Sequence, residues 1–191
     1  MQNKLKSCLI FIFLISFFFA YELFAQSISD SPGLDESSCN FMKLEEVFEA
    51  EDGSDGNSVG EFAKDFSYSC QDGSIHKLSD FRGKKVVLIK FWAKFCQYCR
   101  ESLPAFNDLH NKYKKDGLLV LAMNVSDSAN DVIKLVEDYS FPNVYSANPY
   151  FLAGYDSIPL NAMIDKDGIF QFVELSVLPT NEEIEKLLKE L

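Results

Sequence analysis

The stretch that decides the fold runs from residue 91 to residue 100 and reads Phe91-Trp92-Ala93-Lys94-Phe95-Cys96-Gln97-Tyr98-Cys99-Arg100. An apolar run typical of a buried strand precedes it, and an amphipathic segment typical of a helix follows it. A helix that begins at Cys96 places this thiol where free backbone N–H groups and the positive end of the helix dipole stabilise a thiolate. Cys99 lies one turn later on the same side, within disulfide reach. The two residues are therefore a candidate redox pair, with Cys96 as nucleophile and Cys99 as resolving thiol.

Three other interpretations compete with a redox-active pair. Cys96 and Cys99 are half of a zinc site if Cys39 and Cys70 supply the other half. Alternatively, Cys96 and Cys99 form a structural disulfide that takes no part in redox exchange. A peroxiredoxin would carry Thr three residues before its reactive cysteine, and this chain has Ala93 there.

The chain resembles the thioredoxin superfamily, and within it the exported TlpA/ResA-like branch. The shared features begin with Phe91-Trp92-Ala93, the Cys-x-x-Cys pair and Pro104. The wider frame adds Leu78-Ser79-Asp80-Phe81-Arg82-Gly83-Lys84 upstream, and Ile158-Pro159 with Met163-Ile164-Asp165-Lys166-Asp167-Gly168 downstream. The resemblance runs from about Val59 to the C-terminus. It implies a thioredoxin-like α/β fold: a central mixed sheet flanked by helices, with an N-terminal β-hairpin extension.

The same resemblance assigns roles to three further residues. Pro159 is expected to be a cis-proline that faces the dithiol and keeps metals away from it. Ile158 is expected to offer backbone groups that pair with an extended substrate. Trp92 is expected to shield the dithiol, although a lone buried tryptophan is also explained as core filler. The resemblance implies neither a metal nor a cofactor.

The chain departs from the family pattern at several positions around the cysteines. Lys90 stands where thioredoxin-type members have a buried acid; a cation there favours the thiolate and a more oxidising couple, unless the ammonium reaches solvent. Glu101 lies one place before the position where the branch tends to carry Glu, which rotates it by about 100° on a helix. Gln97 and Tyr98 replace the usual dipeptides that contain proline or histidine. These features leave the redox potential open.

Cys39 and Cys70 remain outside the redox pair. In an exported protein an even pair of this kind predicts a structural disulfide. Two unpaired buried thiols, or an accessory redox pair, are the alternatives.

The N-terminus has the layout of a secretory signal. Lys4 and Lys6 precede an apolar run from Cys8 to Tyr21, which is shorter than the roughly 20 residues that span a bilayer. Residues 1–25 are therefore predicted to be a signal peptide cleaved after Ala25. The alternative is an uncleaved anchor that tethers the protein to the membrane through residues 8–25. Either prediction places the protein in the periplasm or another extracytoplasmic compartment.

Charge separates an acidic arm from the domain that follows. The protein has a net charge of −11. Residues 26–60 carry nine acidic side chains against Lys43 alone, and no basic stripe follows that would bind a phosphate backbone, so nucleic acid is not an expected partner. Residues 26–58 are predicted to be an arm and linker with a short helix near Phe41–Phe48. Residues 59–191 are predicted to be the thioredoxin-like domain.

The remaining pattern alternates strands and helices. It predicts a hairpin over residues 66–78, strands over 85–92 and 118–124, helices over 96–115 and 129–139, a second hairpin over 161–175, and a last helix opened by a capping box at Thr180.

The expected function comes from the resemblance. The resemblance implies a thiol:disulfide oxidoreductase that reduces other exported proteins, as in cytochrome c maturation, with electrons from a membrane dithiol donor. A disulfide-forming oxidase and a redox-inactive peptide-binding module are the alternatives.

Overall fold

The computed structural model describes residues 39–145, 147 and 154–189. The predicted signal peptide lies outside the described residues. The elements, numbered here in chain order, are β1 (Phe41–Val47), β2 (Phe66–Cys70), β3 (Ile75–Lys77), a 3-10 turn (Leu78–Phe81), β4 (Val86–Trp92), α1 (Gln97–Tyr113), a second 3-10 turn (Lys114–Asp116), β5 (Leu118–Asn124), α2 (Ala129–Val136), β6 (Asn143–Tyr145), β7 (Leu160–Ile164), β8 (Phe170–Leu175) and α3 (Asn181–Lys189).

A single mixed sheet with the strand order β3-β2-β1-β6-β5-β4-β7-β8 forms the centre of the fold. Strand β4 runs parallel to β5 and antiparallel to β7. All seven residues of β4 and all seven of β5 are buried, which is why both sequences read as nearly continuous apolar runs. The predicted α/β class, the mixed sheet and the β2–β3 hairpin are confirmed.

The short helix predicted near Phe41 is wrong, because residues 41–47 form strand β1. This strand pairs with β2 on one side and with β6 on the other. A β-bulge between Leu44 and Glu46 shifts the register, and the extra residue gives the apolar positions a spacing that resembles a helix. The sheet therefore includes residues that the sequence assigned to the arm.

All three helices begin where the sequence places them, and α1 and α2 end two to three residues earlier than predicted. Cys96 is the N-cap of α1, and the helix continues through Pro104 to Tyr113. Helix α2 begins after Ser128, whose hydroxyl accepts a hydrogen bond from the Asp131 N–H, and ends at Val136. The predicted capping box is present before α3: Thr180 Oγ1 accepts from the Glu183 N–H, and the Glu183 carboxylate accepts from the Thr180 N–H.

The core that supports the cysteines lies between the sheet and helix α1. Its buried members include Trp92 from β4, Cys99, Leu103 and Phe106 from α1, and Val120 from β5. Because Cys99 and Trp92 belong to the same buried cluster, packing fixes the start of α1 against the carboxyl end of β4. In the described residues no helix is long and apolar enough to cross a membrane.

Candidate active site

The two cysteines meet at the start of α1. They form a disulfide with their Cα atoms 5.2 Å apart. Cys96 precedes the first helical turn, and its sulfur accepts a hydrogen bond from the Cys99 N–H at 3.2 Å. This is the backbone donor that a thiolate at Cys96 would use in the reduced protein.

The two sulfurs differ in their access to solvent. Cys96 is half-buried, whereas Cys99 is fully buried. Phe95 and Tyr98, on either side of Cys96 in the chain, are 74% and 77% exposed. Exposed aromatic side chains around a half-buried sulfur provide an apolar surface that a partner protein can cover.

A polar network at the end of β5 fixes the loop before Cys96. Asn124 is fully buried and its side-chain N–H donates to Asp127 at 2.7 Å. The Asp127 carboxylate in turn accepts from the Lys94 backbone N–H at 2.6 Å. The sequence analysis missed Asn124 and Asp127. The signal was polar residues at the carboxyl end of a buried strand parallel to β4, where such ends meet at one edge of the sheet.

Pro159 and Ile158 lie immediately before strand β7. The peptide bond between them is cis. The Pro159 carbonyl accepts a hydrogen bond from the Ser176 N–H at 2.9 Å, which ties this segment to the end of β8. Ile158 packs at the edge of the buried cluster that contains Cys99, and Cys96 packs on the same cluster.

Lys90 is almost completely buried in the middle of β4, with 1% of its surface exposed. Its Nζ lies 4.5 Å from the centroid of the Phe106 ring in α1. Burial lowers the pKa of Lys90 to about 8. Trp92, two residues further on the same face, is fully buried in the cluster with Cys99.

Gln97 and Glu101 pair with each other on the outer surface of α1. The Gln97 side-chain amide donates to the Glu101 carboxylate at 2.8 Å, and both residues are exposed. Ser102, the next residue, is the one that lines a cavity shared with Lys90 and Pro159. The one-residue offset of Glu101 therefore places it on the helix surface with Gln97, and Ser102 at the cavity.

The second cysteine pair lies at the other side of the sheet. Cys39 and Cys70 form a disulfide with their Cα atoms 5.2 Å apart, next to the β1–β2 pairing, and both are buried. A zinc site shared by the four cysteines is incompatible with two separate disulfides. In the described part of the chain no group of three or more metal-ligating side chains comes together.

The chain is similar in sequence to proteins of known family. The family model described as the AhpC/TSA family matches residues 59–171. The chain is 35% identical over 138 residues to the thiol-disulfide oxidoreductase ResA of Geobacillus kaustophilus, across 70% of this chain and 78% of that protein. It is 33% identical over 140 residues to the thioredoxin-like protein YneN of Bacillus subtilis, across 69% of this chain and 80% of that protein.

Solved structures support the same assignment. A protein from Chlorobium tepidum assigned as the thiol:disulfide interchange protein DsbE matches with a TM-score of 0.60 and 28% identity, over 69% of this chain and 99% of that one. A protein from Bacteroides vulgatus assigned as a thiol-disulfide oxidoreductase matches with a TM-score of 0.57 and 25% identity, over 71% and 97%. The chain therefore belongs to the AhpC/TSA family, within the TlpA/ResA-like branch of the thioredoxin superfamily, and is a thiol–disulfide oxidoreductase.

Proposed function

We propose that the protein is exported and reduces disulfides in other exported proteins through Cys96 and Cys99. The observation that carries this proposal is the asymmetry of the pair. Cys96 is the half-buried cap of α1, with a backbone N–H on its sulfur, whereas Cys99 is fully buried behind it. An accessible thiolate attacks, and a buried neighbour resolves.

The reaction takes two exchange steps. In the reduced protein the Cys96 thiolate attacks one sulfur of the substrate disulfide, and the other substrate sulfur leaves as a thiolate that takes up a proton. Cys99 loses its proton and attacks Cys96 Sγ, which forms the Cys96–Cys99 disulfide and releases the second substrate thiol. Two electrons pass to the substrate. A dithiol donor in the membrane then returns the protein to its reduced form by the same exchange in reverse.

The segment at Pro159 is the proposed substrate platform. Ile158 precedes β7 and is partly exposed, which supports the proposal that its backbone groups pair with an extended substrate strand. Pro159 would close the other side of the dithiol, and the exposed rings of Phe95 and Tyr98 would cover the substrate chain. Main-chain pairing of this kind tolerates many substrate sequences.

Export is supported by the sequence of residues 1–25 and by the second disulfide. Disulfides such as Cys39–Cys70 persist in oxidising compartments and are rare in the cytosol. A periplasmic or other extracytoplasmic location follows, either as a cleaved protein or as one tethered through residues 8–25. The substrates of a reductant in such a compartment are proteins whose cysteines must stay reduced for later chemistry. Apocytochrome c is one such protein.

A redox titration tests the direction of transfer. The mature domain is equilibrated in glutathione and dithiothreitol buffers, and the thiols are trapped by alkylation and assigned by peptide mass spectrometry. A Cys96–Cys99 couple with a potential of about −270 mV supports a reductant. A potential of about −120 mV would instead make the protein an oxidase, the second candidate, which the buried Lys90 favours.

An insulin-reduction assay tests the enzyme itself. The wild type should reduce insulin with dithiothreitol as donor, and Cys96→Ser should lose this activity. Equal rates above the dithiothreitol background would overturn the assignment of Cys96, whereas rates at that background for both proteins would leave a redox-inactive binding module.

A further inference from the structure

A cavity of about 300 Å³ opens next to the dithiol. Its lining includes Lys90, Tyr98, Ser102, Pro159, Asn161 and Ser176. Two of these residues connect it directly to the cysteines. Tyr98 stands between Cys96 and Cys99 in the chain, and Ser102 Oγ donates a hydrogen bond to the Cys99 carbonyl at 2.9 Å.

Lys90 gives this cavity a buried positive charge. The side chain points from β4 toward α1, where Nζ lies over the Phe106 ring, and it lines the cavity. Among the described residues no carboxylate lies within ion-pair distance of it. A buried charge without a counter-charge is costly, and an anion that enters the cavity removes that cost.

Asn161 adds an unused acceptor beside the charge. It lies directly opposite Lys90 in the β4–β7 pairing and is 2% exposed. Its side-chain N–H donates to the Val177 carbonyl, whereas its Oδ1 has no hydrogen-bond partner within the described structure. Buried polar atoms are nearly always paired, so an unpaired acceptor on a residue of the cavity wall is a feature that packing alone does not explain.

Ser176 also lines the cavity, and its backbone conformation is unusual. Its φ is +62°, a left-handed conformation that is uncommon for a residue other than glycine. The Ser176 N–H donates to the Pro159 carbonyl, so this conformation fixes the end of β8 against the segment that carries the proline. Non-glycine residues with this backbone cluster at ligand-binding sites.

We propose that this cavity is a specificity subsite for a carboxylate of the substrate protein, carried by an Asp or Glu close to the cysteine that Cys96 attacks. The inference rests on the proposed function and names its substrate class. The carboxylate accepts from Lys90 Nζ, and Asn161, opposite Lys90 in the sheet, forms the polar wall of the cavity beside it. An amide side chain offers the same hydrogen bonds but leaves the charge of Lys90 uncompensated.

The helix geometry sets the position of the acid. Ser102 lies six residues after Cys96, about 9 Å along α1 at roughly 1.5 Å per residue. An extended substrate covers roughly 3.3 Å per residue, so the acidic residue stands two or three positions from the attacked cysteine. The overall charge of −11 repels acidic peptides, so any preference for them must come from this local site.

The test compares matched disulfide peptides. Each peptide carries Glu or Gln at two or three positions before or after the cystine, and a control set carries the same residues eight positions away. The kcat/KM for reduction is measured at pH 7 and physiological salt, where charges more than about 8 Å apart are screened. The wild type, Lys90→Met and Lys134→Met are compared; Lys134 is exposed on α2, so its replacement changes the net charge equally without touching the cavity.

The expected result is a preference of roughly tenfold for Glu over Gln at one of the near positions. Lys134→Met should keep this ratio, Lys90→Met should abolish it, and the distant Glu should give none. The inference is wrong if the wild type shows no preference, if it prefers Gln, or if Lys90→Met keeps the ratio. Reduction of the Gln peptides at ordinary rates in those cases leaves the proposed function intact, whereas failure to reduce any peptide would contradict the function itself.

Discussion

Lys90 and Asn161 face each other across strands β4 and β7, and both side chains are buried at one cavity beside the cysteines. The neighbour of Lys90 on the other side, in β5, is Ala122, so the sheet supplies no counter-charge there. A charge at the centre of an apolar sheet lowers the stability of the fold. A charged side chain in a buried strand breaks the usual pattern of apolar residues there, and such exceptions are expected at functional sites.

Lys90→Met should stabilise the protein at neutral pH. Burial holds the pKa of Lys90 at about 8 against 10.5 for a free lysine, so between these values the unfolded chain binds more protons than the folded one. The penalty is therefore fully present below pH 8 and disappears as the pH rises to 10.5. The stability gain of the variant should be up to roughly 3 kcal/mol at pH 7 and fall toward zero near pH 10.5.

Urea unfolding of the oxidised proteins across this pH range measures the difference. The oxidised form removes titration of the two thiols. The ionisable side chains on the elements packed around Lys90 include Tyr98 and His110 on α1 and Glu174, which is exposed on β8 in register with Asn161. All three are present in both proteins, so their own titration is common to the two curves. A gain that stays constant with pH would show that Lys90 does not titrate in this window.

The same substitution should make the dithiol more reducing. A positive charge near the cysteines stabilises the thiolate and with it the reduced form, so its removal should shift the potential to a more negative value by roughly 30 mV, a tenfold change in the equilibrium constant. Equilibration with glutathione buffers measures the shift, with Lys134→Met as the charge-matched control. An unchanged or more positive potential for Lys90→Met would contradict an electrostatic role.

Cys99→Ala should trap the mixed disulfide. Without the buried resolving thiol, the adduct between Cys96 and a cystine peptide has no intramolecular route to break down. Mass spectrometry should detect one peptide per protein, stable until dithiothreitol is added. Cys96→Ala provides the control, because the remaining Cys99 is fully buried and should form little adduct. Equal trapping by both variants would contradict the proposed roles.

Loss of the Cys39–Cys70 bond should destabilise the fold. The bond joins residues 31 positions apart, and closing a loop of that length contributes roughly 3–4 kcal/mol in the chain-entropy model. The double variant Cys39→Ala/Cys70→Ala should unfold at a lower urea concentration and keep its insulin-reducing activity, since both residues lie away from Cys96. An unchanged midpoint of urea unfolding would contradict a stabilising role for the Cys39–Cys70 bond.

The sequence predicted the fold and the dithiol because their signals are local. The buried run before Cys96, the amphipathic helix after it and the capping box at Thr180 each depend on residues close in the chain. Strand β1 was mistaken for a helix because a bulge at Leu44–Glu46 disrupts the alternation that marks a strand. Strand β6 went undetected because three residues, Asn143–Tyr145, carry too little pattern.

The surroundings of the dithiol were decided by tertiary structure. The sequence by itself determined that Cys96 begins a helix, because that signal is one of local spacing, and the family resemblance marked Lys90 as standing in place of an acid. Only strand pairing brings Asn161, 71 positions later, opposite Lys90, and only packing against α1 closes a cavity around them. Hydrogen bonding in a sheet joins residues without regard to their distance along the chain, so no local pattern contains this pair.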